Sequence, residues 1–183
     1  MLVNDTNLTT IWVDENNQKI KIIDQRLLPH ELSIVTLNSV KDVEFAIREM
    51  QVRGAPLIGV TAAFGMYVAA LEDSSMEFLN QAADFLIKSR PTAVNLSWAI
   101  EKIKLEISNI DQANRADSIF NLAKKIREDD IEACSKIGEY GLELIKNIYN
   151  KTNSKVNILT HCNAGWLAAV DWGTALAPIF KAK

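Results

Sequence analysis

The sequence predicts an α/β protein, and three observations carry that prediction. Two short β-patterned runs flank a turn-rich stretch near the start. Five later segments read as helices, and a short apolar run near residue 156 leads into a cysteine-bearing loop. The expected organisation is a β-hairpin and helical domain over residues 1–150. The first strand, loop and helix of a second, α/β domain follow over 151–183.

The hairpin is expected from Thr9 to Val13 and from Lys19 to Ile23, around the turn residues Asp14-Glu15-Asn16-Asn17. Asp24-Gln25-Arg26 follows, and Leu27-Leu28-Pro29 breaks the strand. Val40, Val43, Ala46, Ile47 and Met50 then fall three or four residues apart, giving one apolar helix face. Pro56 suits the first turn of the next helix, which runs to about Leu71. The small residues Gly59, Ala62, Ala63 and Ala69 let neighbouring helices approach it closely. Ser74 with Glu77 spells a capping box ahead of a helix over about Ser75–Lys88, stopped by Arg90-Pro91. Further helices are expected over about Val94–Ser108 and Asn114–Tyr149. In the last of these Ile119, Leu122, Ala123, Ile126, Ala133 and Ile137 keep the period, while Gly138 and Gly141 are candidate breaks or bends. A polar linker, Lys151 to Ser154, precedes the strand Val156–Leu159, and a helix is expected from about Trp166.

A lone buried strand has no ladder partners, and a parallel sheet needs further crossover units. Two arrangements answer this. Either most of a second domain is missing from the chain, or the strand joins the hairpin in one α+β fold. The first is the expectation.

Composition sets outer limits. The chain is 48% hydrophobic and 23% charged, as in globular domains, and its net charge of −3 argues against a nucleic-acid binder. Two cysteines are too few for a disulfide framework and suit a reducing cytosol, so a cytoplasmic location is expected. No zinc spacing or signal-peptide pattern is visible. The apolar stretch Ala55–Leu71 is shorter than the roughly 20 residues a membrane helix needs. It carries Gly59, Thr61 and Gly65 and reads as a buried core helix, so no membrane partner is expected.

Three segments are candidates for chemistry. In Val52-Arg53-Gly54-Ala55-Pro56, backbone amides at a helix start together with a guanidinium suit a phosphate; an interhelical turn with a surface arginine spells the same letters. Arg90-Pro91-Thr92 with Asn95 holds an arginine extended before proline, pointing into a cleft or into water. Cys162 lies in Thr160-His161-Cys162-Asn163-Ala164-Gly165, a loop leaving a strand, where open α/β sheets place ligand chemistry. The competing reading of a free cysteine is a small buried hydrophobe. His161 is adjacent but points away along an extended chain. Asp171 sits roughly 10 Å or more along a following helix. Cys134 is expected to be inert within its helix, and Glu128, Asp129, Asp130 and Glu132 to be a solvated acidic surface rather than a metal site.

Five segments in this order resemble methylthioribose-1-phosphate isomerases: Ile23 to Pro29, Val52 to Gly59, Arg90 to Leu96, Leu159 to Gly165, and Gly173-Thr174-Ala175. The resemblance implies a mostly helical region ahead of a Rossmann-like domain, a homodimer when full length, and an enzyme of methionine salvage. Such an enzyme converts 5-methylthioribose 1-phosphate into 5-methylthioribulose 1-phosphate. The resemblance implies Cys162 as the catalytic cysteine, with Arg53, Gly54, Ala55 and Arg90 binding the sugar phosphate, and it implies no metal or organic cofactor. The family's catalytic aspartate and its Asn-Lys pair have no counterpart in the sequence, so the chain alone is expected to be inactive. Two alternatives remain at this stage. One is a ribose-1,5-bisphosphate isomerase, and the other is a non-catalytic binding protein akin to the regulatory subunits of initiation factor 2B.

Overall fold

The architecture follows from one helix that is apolar on every side. In this computed structural model, which describes residues 2–3, 6–14, 16 and 18–183, α2 (Ala55–Glu72) runs through the centre. Every residue from Leu57 to Ala70 is buried. By length and composition α2 would pass for a membrane span. Here its whole circumference is instead covered by α1 (Val40–Arg48), α3 (Met76–Ser89), α4 (Val94–Ile107) and α5 (Gln112–Thr152). The expected buried core helix is observed.

A small antiparallel sheet closes one side of the bundle. The strands β3 (Ile11–Asp14) and β4 (Lys19–Ile23) form the expected hairpin, pairing Ile11 with Ile22 and Val13 with Ile20. Of its turn residues, Glu15 and Asn17 lie outside the described residues. A third strand, β5 (Ile34–Leu37), pairs with β4, where the sequence reading placed no strand. Its β-branched run Ile34-Val35-Thr36 was the available signal. A separate two-residue pair, β1 (Leu2–Val3) and β2 (Thr6–Asn7), precedes the sheet. Ile11, Ile20, Ile22 and Leu37 point into the helical core.

The helices match expectation to within a few residues, with four corrections. The capping box sits on α1, where Asp42 N–H donates to Ser39 Oγ (3.2 Å) and Ser39 N–H donates to Asp42 (3.0 Å). At α3 the N-cap is Ser75, not Ser74; the Ser74 hydroxyl donates instead to Gln112 O. Met50 is not on the apolar face of α1. The helix stops at Arg48, and Met50 takes a left-handed conformation (φ +58°), half exposed beyond it. In α5, Cys134 and Gly138 are buried where Ala133 and Ile137 were expected. Nor do the glycines break this helix, which runs unbroken for 41 residues, about 60 Å. They admit a crossing helix: a Cβ at Gly138 would lie 2.9 Å from Lys181 Cγ, and one at Gly141 would overlap Pro178 of α6 (Ala177–Ala182).

The largest departure follows α5. Residues 156–159 form no strand, and Leu159 is 99% exposed. A parallel strand exists only through its neighbours' hydrogen bonds, and among the described residues no strand pairs with this one. The helix expected from Trp166 is a single 3-10 turn, Trp166–Ala168, and regular helix resumes only at α6. Residues 164–183 do not stand apart. They fold back onto the sheet, α2 and α5.

Candidate functional site

The cleft is assembled from helix ends on one side and this folded-back segment on the other. Leu37 of the sheet and Val40, Val43, Ala46 and Ile47 of α1 anchor the first side in the core. The chain leaving α1 is then held from beneath. Arg26 donates both Nε and Nη2 to the buried Asp24 carboxylate (2.9 and 2.7 Å), and Gln51 Nε2 donates to the same group (2.6 Å). Arg26 thereby holds the Asp24 carboxyl below the usual carboxylate value, against the opposing effect of burial. Gln25 N–H donates to Gln51 O (2.9 Å). The motif Asp24-Gln25-Arg26 is thus a brace under the loop that carries Arg53.

Gly54 follows, at φ +107°, with no side-chain cap on the helix it opens. A Cβ there would overlap the Ala168 backbone, so glycine is required both by conformation and by contact. Because α2 lacks a cap, the first-turn N–H groups of Ala55 and Leu57 have no intrahelical acceptor. Arg90 ends α3 in a non-helical conformation (φ −148°, ψ 83°) before Pro91.

The opposite side is suspended by individual hydrogen bonds. Gln25 Nε2 donates to Leu167 O (2.7 Å). Thr10 donates through its hydroxyl to Ala169 O (2.7 Å) and through its N–H to Val170 O (3.1 Å). Val170 N–H donates to Asp130 Oδ2 (2.8 Å). Asp130 is therefore half-buried, and burial pushes its carboxyl above the usual range. Its neighbours Asp129 and Glu132 pair with Lys125 and Lys136 on the surface. The acidic run is a solvated surface except at this one position. No group of three or more metal-ligating residues occurs among the described residues.

Arg53, Gly54, Ala55, Arg90 and Cys162 all line one open cleft of about 690 Å³, together with Thr92, Asn95, His161 and Thr174. Cys162 is exposed and adopts φ +69°. Neither Asp nor Glu is among the lining residues. Asp171 is not there either; its carboxylate accepts from Trp172 N–H (2.8 Å). Two guanidinium groups, uncapped amides and no carboxylate favour an anion. Cys134 contrasts with Cys162: buried on α5, its thiol is pushed up to about 12 by burial, with Asp130 and Asp171 adding to the effect. It is inert at neutral pH, as expected.

The family model for the initiation factor 2 subunit family matches residues 51–182, which include the Arg53 loop, Arg90 and the cysteine segment. The chain belongs to that family. Similar members are the methylthioribose-1-phosphate isomerases of Rhizobium meliloti (strain 1021), 50% identical over the whole chain, and of Sinorhizobium medicae (strain WSM419), 47% identical. The chain spans about half the length of these relatives. Two solved structures of the family superpose with a TM-score of 0.80 at 36% identity over 96% of this chain. One is translation initiation factor eIF-2B, subunit delta, from A. fulgidus, of which this chain covers 51%. The other is 5-methylthioribose 1-phosphate isomerase from Pyrococcus horikoshii OT3, of which it covers 50%. The resemblance read from the five sequence motifs is borne out at the level of the family.

Proposed function

We propose that this chain supplies the phosphate-binding and cysteine-bearing side of a 5-methylthioribose 1-phosphate isomerase acting in the cytosol in methionine salvage. The observation that carries this reading is the cleft itself. It gathers Arg53, Arg90, the uncapped start of α2 and an exposed Cys162, with no carboxylate to repel an anion. The names of relatives at 44–50% identity support the same reading.

In this reading Arg53 and Arg90 hold the phosphate, and the backbone N–H groups of Ala55 and Leu57 donate to its oxygens. The reaction is redox-neutral. The bond from C1 to the ring oxygen breaks, that oxygen takes a proton, hydrogen passes from C2 to C1, and the C2 hydroxyl becomes a carbonyl. Cys162 stands beside the reacting carbons. An acid–base partner of the kind that contributes 10²–10⁴-fold comes from the other half of the relatives' length, which also supplies the rest of a Rossmann-like second domain. The division at about residue 150, the homodimer and the individual roles of Cys162, Arg53, Gly54, Ala55 and Arg90 belong to the same proposal.

A purely binding role also has an observation in its favour, because the subunit delta structure superposes equally well. A coupled isomerase assay separates the two. The chain alone is expected to bind 5-methylthioribose 1-phosphate without turnover, and to turn it over when fused to the other half of the Rhizobium meliloti relative. A fusion that folds and binds an initiation factor but no sugar phosphate would overturn the proposal.

A further inference from the structure

We propose that Met50 and Val94 form the seat for the S-methyl end of the substrate and set its preference for a thiomethyl over a second phosphate. This rests on reading the cleft as a sugar-phosphate site. Met50 is the residue the sequence pattern assigned to the buried face of α1, and the structure moves it to the rim of the cleft. It sits just past the helix C-cap Glu49 at φ +58°, a place and conformation where glycine or asparagine is usual. It is also 50% exposed, where a polar side chain would be usual. Neither the backbone nor the solvent favours methionine there. A strained, exposed, apolar residue beside a binding cleft points to a ligand that needs it.

Val94, the first residue of α4, is 75% exposed and lines the same cleft, and the buried Ile58 lines it as well. The cleft therefore carries two kinds of lining, guanidinium groups at Arg53 and Arg90 and an apolar group at Met50 and Val94. A ligand with a phosphate at one end and an unbranched thioether at the other matches both. A ligand with phosphates at both ends would place one of them against apolar side chains and lose hydration there. The flexible, polarizable methionine side chain adapts to a small thioether better than a branched residue would.

The test compares dissociation constants, by calorimetry on the chain, for 5-methylthioribose 1-phosphate, ribose 1-phosphate and ribose 1,5-bisphosphate. The chain is expected to favour the thiomethyl sugar over ribose 1-phosphate by about tenfold, as one small apolar group in a fitted site allows. Met50→Gly is expected to raise the melting temperature by relieving the backbone while reducing that preference to about twofold. Met50→Lys is expected to move the preference toward the bisphosphate, and Val94→Thr to weaken thiomethyl binding without affecting ribose 1-phosphate. Variants that leave the preference intact, or that weaken all three ligands equally, overturn the assignment while leaving the cleft a sugar-phosphate site. A wild-type chain that binds none of the three overturns the reading of the cleft itself.

Discussion

The two sides of the cleft reach their positions by different means. Arg53, Ala55 and Arg90 stand at the ends of helices whose remaining residues fill the core, so their geometry is a by-product of packing. Cys162 stands in chain that has no regular structure between Asn153 and Gly165. Behind it, residues 167–170 are tied by hydrogen bonds from Gln25 and Thr10 and by one from Val170 N–H to Asp130. The first side is lost only when the bundle unfolds. The second can be loosened one hydrogen bond at a time, each contributing about 1 kcal/mol.

Gly54 is where the two sides touch, and changing it gives the largest expected effect. Gly54→Val places a branched side chain at φ +107° and into the Ala168 backbone. The expected loss is about 3 kcal/mol or more in urea unfolding, and it should affect both sides together. A loss below 1 kcal/mol, on the scale of ordinary surface changes, would show that the contact is not needed.

Asp24→Ala comes next, because it removes the shared acceptor of Arg26 and Gln51 beneath the Arg53 loop. The expected cost is about 2 kcal/mol. The two sides also differ in how they respond to pH. Asp24 has its carboxyl depressed by Arg26, so its contribution is fully present above 3.8, the unfolded value, and is lost as pH falls through the folded one. Asp130 has its carboxyl raised by burial. The unfolded chain gives up that proton first, and stability falls as pH rises from 3.8 through the folded value. Urea midpoints followed across the acid range should therefore separate the variants. Asp24→Asn flattens the curve below 3.8, and Asp130→Asn flattens it above. The reverse assignment would contradict both environments.

Thr10→Val should have the smallest effect, about 1 kcal/mol. Hydrogen exchange is expected to quicken at residues 167–171 and to stay unchanged in α2 and α4. Faster exchange throughout the bundle would remove the distinction between the two sides.

The sequence reading was accurate where local pattern and environment agree. Every residue of α2 from Ala55 to Leu71 is apolar or small, and no surface could accept such a helix, so its central place was legible. The motifs at Arg53, Arg90 and Cys162 were legible as candidates, though their meeting in one cleft depends on the crossing of α2, α3 and the segment beyond α5. The apolar run 156–159 misled for a physical reason, since a strand is a property of its neighbours and periodicity does not report them. Met50 misled because apolar spacing continued past the point where α1 ends. Asp130 was read with the acidic run around it. Only its position facing Val170 distinguishes it, and nothing in the local sequence carries that. Gly138 and Gly141 were read as breaks when they mark the place where α6 crosses.

The central claim is that Cys162 faces a sugar-phosphate site formed with Arg53 and Arg90. Alkylation by iodoacetamide, read site by site by mass spectrometry with and without 5-methylthioribose 1-phosphate, tests it most directly, with the buried Cys134 as internal control. The expected result is rapid labelling at Cys162 alone, slowed by the ligand, with Arg53→Gln and Arg90→Gln each abolishing the protection. Labelling of Cys162 at one rate with or without ligand, or protection that survives loss of both arginines, would contradict the account.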